Sequence, residues 1–203
     1  MRQYNFNEDT LYWEPDRKRG GKNRVTFSDG FDTEHYLRDL FLRAKDLSSK
    51  SLELTQAIKD WPTRYHLSPQ RGFLLYPFPL SGRSVLEIGS GCGAITRYLA
   101  DIGSNVTAIE GNPLRAQITA LRCKDKSNVS VYCDNIFEFE SDKTFEVVTL
   151  IGVLEYAPCF SASSNPVIEL LQRSLSLLSP NGVLIVAIEN RLGLKYFCGH
   201  PED

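Results

Sequence analysis

Hydrophobic and polar positions change their period once along this chain, close to residue 80. Beyond it, short apolar runs alternate with stretches in which apolar residues recur every three or four positions, the signature of strands alternating with amphipathic helices. Strands are predicted at 84–88, 105–109, 129–132, 146–151 and 183–188. Helices are predicted between them at 94–101, 113–123 and 166–178, the last stopped by Pro180-Asn181-Gly182. Such repeated βαβ units imply an α/β fold, a mainly parallel sheet with helices on both faces.

The first 80 residues lack this alternation. Leu11-Tyr12-Trp13 and Val25-Thr26-Phe27 are β-prone runs on either side of Gly20-Gly21, so a hairpin is expected over 10–28. Asp32 reads as an N-cap, and Tyr36, Leu37, Leu40, Phe41 and Ala44 then recur at helical spacing up to about Asp46. Leu52, Leu54, Ala57 and Ile58 suggest a shorter helix that ends before Trp61-Pro62, and Ser68-Pro69 resembles another helix start. Residues 1–80 are therefore expected to form a mostly helical cap in front of a core at 81–203.

Composition narrows the setting. The chain has 203 residues, enough for one domain with an appended segment, and 42% of them are hydrophobic, enough to bury a core. The run from Val147 to Leu154 is interrupted by Thr149 and Gly152 and is far too short for a membrane span. The polar N-terminus does not resemble a secretory signal, so a cytosolic protein is expected. Five cysteines (Cys92, Cys123, Cys133, Cys159, Cys198) without a C-x-x-C pair argue against a disulfide framework and a zinc site, and most are expected to be buried thiols. The net charge of −2 removes any overall attraction to a nucleic-acid backbone. The basic cluster Arg17, Lys18, Arg19, Lys22 and Arg24 reads as a solvated hairpin tip in preference to a phosphate loop.

The candidate chemistry sits in Val85-Leu86-Glu87-Ile88-Gly89-Ser90-Gly91-Cys92-Gly93-Ala94, where an apolar strand runs into a glycine cluster and then a helix. Glycines there permit a tight turn and let the backbone approach a ligand closely. Gly89-x-Gly91-x-x-Ala94 alone also satisfies a dinucleotide pattern, so the neighbours decide. Glu87 within the strand and Gly93 as a third glycine give E-x-G-x-G-x-G. Glu110 ends the next strand 17 residues beyond Gly93, where an acid that accepts from two ribose hydroxyls is expected. Cys133-Asp134-Asn135 follows the third strand, Gly152-Val153-Leu154-Glu155-Tyr156 the fourth, and Pro180-Asn181-Gly182 precedes the fifth.

In this order the segments resemble class I S-adenosylmethionine-dependent methyltransferases. The resemblance implies a Rossmann-like, doubly wound sheet with strand order 3-2-1-4-5 and S-adenosylmethionine as cofactor. It implies that Gly89, Ser90, Gly91, Cys92 and Gly93 line the methionine part, with Glu87 holding it directly or through water. It further assigns Glu110 to the ribose, Asp134 with Asn135 to the adenine, and Gly152 to Tyr156 to the flank of the sulfonium, and it counts Gly111, Asn112, Ile136 and Arg71 among the cofactor-binding residues. No metal is implied.

Two further segments, Trp61 to Arg71 and Glu189 to Asp203, resemble methyltransferase domains of bacterial surface-polysaccharide proteins. That likeness implies a glycan hydroxyl as acceptor, within a partner class of small-molecule or glycan acceptors, with His66, Glu155 or Tyr156 as base and Arg71 or Arg191 on the substrate or the cofactor carboxylate. Each has a plainer reading: His66 as a packed or capping histidine, Glu155 as a helix-start acid, Arg71 as an exposed surface residue.

The competing enzyme class is a nicotinamide-dependent oxidoreductase, which shares the glycine turn and the acid on the second strand. Gly93, Glu87 and Asp134 argue against it. Only fifteen residues follow Ile188, so the antiparallel closing hairpin of the family is expected to be missing. A cofactor-binding fragment without turnover is therefore a second alternative. The exposed fifth-strand edge would then be covered by another domain or by a second copy in a homodimer.

Overall fold

The computed structural model describes residues 2–16, 30–161, 163–188, 193 and 197–199, and joins seven strands into one sheet. β1 (Tyr4–Asn7) and β2 (Tyr12–Pro15) form an antiparallel hairpin. Its turn is closed by the Asn7 side chain, whose Oδ1 accepts from the backbone N–H groups of Asp9 (3.0 Å) and Thr10 (3.3 Å). The expected hairpin is thus displaced: the Tyr12-Trp13 run pairs with an earlier strand, and Val25-Thr26-Phe27 and the basic cluster lie outside the described residues.

Three helices follow: α1 (Phe31–Arg43), α2 (Leu52–Gln56) and α3 (Trp61–Leu67). α1 starts after Gly30, two residues before the cap expected at Asp32. α3 was not expected, because Pro62 was read as a boundary; it occupies the first turn, where its missing N–H costs nothing. A capping box fixes that start, with Asp60 Oδ1 accepting from the Thr63 N–H at 2.9 Å and Thr63 Oγ1 accepting from the Asp60 N–H at 3.0 Å. A 3-10 turn, Pro69–Leu75, follows Ser68.

The parallel core comprises β3 (Ser84–Ile88), α4 (Ala94–Asp101), β4 (Asn105–Glu110), α5 (Pro113–Arg122), β5 (Val129–Cys133) and β6 (Phe145–Ile151). After a 3-10 turn at Leu154–Tyr156 come the short α6 (Ala157–Phe160), α7 (Pro166–Ser176) and β7 (Leu178–Ala187). The sheet order is β1-β2-β5-β4-β3-β6-β7. The five-strand order expected from sequence describes only the parallel stretch β5-β4-β3-β6-β7. The antiparallel pair is at the N-terminal end of the chain and extends the sheet beyond β5, where Trp13 aligns with Tyr132 and their rings stack at 6.1 Å. The front segment is accordingly part sheet and part helix.

β7 begins five residues earlier than expected. Leu178 pairs with Phe145 and Val183 with Val147, so Pro180-Asn181-Gly182 forms an irregularity within the strand instead of a turn before it. Asn181 takes a positive φ of 64° there.

Alternation along the strands sorts side chains onto two faces. Val85, Val106, Val131 and Val147 pack with Ile95, Tyr98, Leu99, Ala116 and Ala120 of α4 and α5. Leu86, Ile88, Val148 and Leu150 pack with Leu154, Ala157, Leu170 and Leu177 on the other side. A third cluster joins Leu37, Phe41, Leu54 and Leu67 of the front helices to Ile118 and Leu121 of α5. Among the described residues no helix is long and apolar enough to cross a membrane. The cysteines are less buried than expected: Cys92 and Cys123 are interior, Cys133 is half-buried, and Cys159 and Cys198 are exposed.

Candidate functional site

Glu87 and Glu110 stand at the carboxyl ends of the adjacent strands β3 and β4, both nearly inaccessible to solvent. Glu87 Oε2 accepts from Thr96 Oγ1 of α4 at 2.6 Å. Burial pushes its carboxyl up to about 7, the nearby Glu110 adds to the rise, and the Thr96 hydroxyl and the Arg71 charge oppose it. Burial likewise raises Glu110, against the pull of Arg115 and of backbone donors. Glu110 Oε2 accepts from the Gly91 N–H at 2.8 Å and Oε1 from the Asn112 N–H at 2.9 Å. Each oxygen keeps a lone pair, which is what two adjacent hydroxyl donors need.

The turn between β3 and α4 is held by its backbone. Gly89 and Ser90 donate to the Ile109 carbonyl (2.8 and 3.1 Å), Gly93 donates to the Ser90 carbonyl (2.9 Å), and Thr119 Oγ1 donates to the Gly91 carbonyl (2.7 Å). Gly89 has φ +75°, and a Cβ on it would sit 2.4 Å from Val153 Cγ2. Gly93, at φ +78°, opens α4 in the left-handed region that glycine tolerates.

The side chains expected to line the cofactor divide. Cys92 is buried in the cluster with Leu37, Leu67 and Ile118, so its thiol faces the helical layer and only its backbone belongs to the turn. Ser90 Oγ donates to Thr119 Oγ1 at 3.4 Å. Asn112 caps α5, its Oδ1 accepting from Leu114 (2.9 Å) and Arg115 (3.3 Å), while Gly111 lies half-buried between it and Glu110. Asp134 follows β5, and its N–H donates to the Glu110 carbonyl at 3.1 Å. Its carboxylate is held from a direction the sequence does not reveal, by Arg2 Nη2 (2.9 Å) and Tyr4 Oη (2.7 Å). Asn135 is turned inward, with Nδ2 donating to the Phe160 carbonyl (3.4 Å) and Oδ1 accepting from the Phe137 N–H (3.0 Å). Ile136 belongs to the apolar core with Phe139.

The acceptor-side candidates also separate. Gly152 follows β6 at φ +66°, and its Cβ position would be 3.3 Å from Tyr65 Oη and 3.9 Å from Glu155 Oε1. Tyr65, which sequence reasoning did not single out, thus lies beside the candidate site; only its place next to His66 pointed toward it. Arg71 Nη2 donates to Tyr65 Oη at 2.9 Å, and its guanidinium carbon lies 3.9 Å from the Tyr65 ring centroid. Arg71 is therefore drawn inward, contrary to its reading as a free surface residue, and its buried Nε has no hydrogen-bond partner among the described residues. The Thr149 hydroxyl, in register with Glu87 on β6, is likewise buried without a partner. Glu155 is exposed and Tyr156 half-buried in the 3-10 turn that follows β6, which is the mouth of the candidate site. His66 has only 2% of its surface exposed and lies in the interior against α5, where its carbonyl accepts from Arg122 Nη1 at 2.6 Å. An incoming acceptor has no access to it, which corrects its assignment as a base. Arg191 lies outside the described residues.

A groove of about 310 Å³ between Phe78, Arg83, Glu146 and Pro180 opens at the amino ends of β3, β6 and β7. It is at the opposite end of the sheet from the buried acids, and open α/β sheets take ligands at the carboxyl ends.

Residues 86–184, just under half of the chain, match the family described as Methyltransferase domain. A ubiquinone biosynthesis O-methyltransferase of Rickettsia akari (strain Hartford) is 30% identical over 121 residues, which are 59% of this chain and 45% of that protein. One from Rhodopseudomonas palustris (strain BisB5) is 30% identical over 115 residues, 55% of this chain and 42% of that protein. The chain spans about half the length of the curated relatives it matches. Among solved structures, the N-methyltransferase NodS from Bradyrhizobium japonicum WM9, in complex with S-adenosyl-L-homocysteine, superposes with a TM-score of 0.50 at 21% identity, covering 76% of this chain and 71% of that one. The CcbJ methyltransferase from Streptomyces caelestis gives 0.53 at 22% identity, covering 70% and 57%. These likenesses establish the fold as that of α/β methyltransferases. They give no support to the narrower resemblance to surface-polysaccharide proteins.

Proposed function

We propose that this chain carries an S-adenosylmethionine-dependent methyltransferase domain, over residues 81–203, that methylates a hydroxyl of a small molecule. The observation that carries the reading is the pair of buried carboxylates Glu87 and Glu110 at neighbouring strand ends, with Glu110 accepting from the Gly91 N–H of the positive-φ glycine turn and Glu87 from Thr96 of the helix that follows it. The residues present fit the cofactor: lone pairs of Glu110 remain for ribose hydroxyls, and the orphaned Arg71 Nε and Thr149 Oγ1 flank Glu87 where an amino-acid carboxylate and ammonium need partners. When bound, S-adenosylmethionine supplies a methyl group already activated as an electrophile, so the protein's share is chiefly positioning and water exclusion.

Glu110 fixes the ribose, Asp134 and Asn135 lie one strand further along beside the base, and Glu87 with Arg71 holds the amino-acid end. Gly152, whose lack of a Cβ lets Tyr65 Oη come close to its backbone, lies beside the reacting centre with Glu155. Glu155 Oε1 takes the proton as the acceptor oxygen gains the methyl group, with Tyr156 beside it at the mouth. The O-methyltransferase names of the curated relatives support oxygen as the acceptor atom; a glycan hydroxyl is a special case of that class.

A thermal-shift panel tests the assignment. S-adenosylhomocysteine raises the melting temperature in a concentration-dependent way, and NADH does not. Stabilisation by NADH alone would replace the proposal with the oxidoreductase reading.

A further inference from the structure

The N-terminal strand reaches across the sheet to the end of β5. Arg2 Nη2 donates to Asp134 Oδ1 at 2.9 Å and Nη1 to Glu138 Oε2 at 2.7 Å. Tyr4 Oη donates to Asp134 Oδ2 at 2.7 Å and accepts from the Glu140 N–H at 3.2 Å. The Arg2 N–H also meets Glu140 Oε2. Below the hydroxyl, the Tyr4 ring packs edge-on against Tyr132 (5.1 Å) and tilted against Phe139 (5.7 Å). Segment 134–140 is thereby pinned at both ends by two side chains some 130 residues away in sequence.

The Asp134 side chain is only 4% exposed, and its oxygens receive Arg2, Tyr4 and the Asn135 N–H at 2.9 Å. A carboxylate has about four lone-pair sites, so one remains for a further donor. Burial pushes the Asp134 carboxyl up, with Glu138 adding to the rise, whereas Tyr4, Arg2 and the Asn135 N–H pull it down. An ionised carboxylate can accept from an exocyclic amino group and is repelled by an exocyclic oxygen; a protonated one can donate to that oxygen.

We propose that Arg2 and Tyr4 are positioning residues for nucleobase recognition, holding Asp134 so that the site selects a 6-aminopurine over a 6-oxopurine. This rests on the reading above that places Asp134 beside the base. Neither residue touches the ligand; both act through the carboxylate they orient.

Calorimetric titration of the 203-residue chain with S-adenosylhomocysteine and S-inosylhomocysteine tests it. The unsubstituted protein prefers the adenosyl ligand by at least about tenfold. Combined Arg2→Gln and Tyr4→Phe, which keep the side-chain bulk, reduce that preference to about threefold or less while affinity for the inosyl ligand holds or rises. Equal loss for both ligands would assign the pair a structural role only and overturn the proposal, as would an unchanged preference. Asp134→Ala separates the two levels: if it abolishes the preference and the double variant does not, Arg2 and Tyr4 do not orient the carboxylate and the proposal falls. If Asp134→Ala leaves the preference intact, the placement of Asp134 beside the base is itself wrong.

Discussion

Thr96, in the first turn of α4, donates its hydroxyl to Glu87 of β3 across 2.6 Å, and both side chains are interior. The bond ties the helix that follows the glycine turn to the strand that precedes it. It also leaves one Glu87 oxygen without that donor, in an environment that raises the carboxyl to about 7. Because the folded value exceeds the ordinary 4.5, ionisation is harder in the folded protein than in the unfolded chain. The group costs stability as pH rises from about 4.5 through 7, and costs little below that window. Between pH 5 and 8 the stability of Glu87→Gln relative to the unsubstituted protein should therefore improve by about 2–3 kcal/mol, read from denaturant titrations. A constant difference across that range would show that Glu87 does not titrate there.

Gly89 and Gly82 offer a matched pair. Both have φ near +75°, but a Cβ at Gly82 meets nothing within 4 Å, whereas one at Gly89 meets Val153 Cγ2 at 2.4 Å. Gly82→Ala should cost about 1–2 kcal/mol from backbone strain alone. Gly89→Ala should cost about 1–3 kcal/mol more, because Val153 must move in a packed core. It should also weaken S-adenosylhomocysteine binding, which Gly82→Ala leaves unaltered. Equal costs in denaturation would remove the case for close packing behind the turn.

At the mouth, Glu155→Gln should lower kcat on a hydroxyl acceptor by about 100-fold or more while S-adenosylhomocysteine affinity stays within about twofold. His66→Asn should instead act through stability, with kcat per folded molecule little changed, since the imidazole is buried away from solvent. Steady-state kinetics paired with melting curves distinguish the two. A kcat collapse confined to His66→Asn would return the base to that residue.

Arg122 is fully buried in the seam between the front helices and α5, with Nη1 on the His66 carbonyl (2.6 Å) and the guanidinium 5.2 Å from the Phe41 ring centroid. Burial lowers its pKa to about 10. Arg122→Met, which fills the space without a charge, should be the milder substitution, within about 2 kcal/mol of the unsubstituted protein. Both substitutions leave the His66 carbonyl unmet; Arg122→Ala adds a void and should cost about 3–5 kcal/mol by chemical denaturation. Equal losses would indicate that the charge, and not the volume, dominates at this position.

The legible part of this protein was the part written locally. The spacing of apolar residues located β3 and α4 at the bounds the structure shows, and α5, β4, β5 and β6 within a residue. The same chain order puts Glu87 and Glu110 at strand ends, where the structure has them. Where a residue has two local roles the reading faltered. Pro62 ends some helices and begins others, and here the capping box at Asp60 decided for a beginning. Pro180-Asn181-Gly182 is ordinary turn chemistry, yet pairing of Leu178 with Phe145 drew it into a strand.

By itself, then, the sequence determined the strands and helices from β3 to β6 and which acids end those strands, because period, capping and turn chemistry act over a few residues. Only the tertiary structure decided that the N-terminal hairpin extends the sheet, that Arg2 and Tyr4 hold Asp134, that Tyr65 lies beside Gly152 with Arg71 bonded to its hydroxyl, and that His66 is interior. Those contacts join residues far apart in the chain. Their formation depends on which strand lies beside which and on the space left after the core is packed, and neither is encoded in any short stretch of residues.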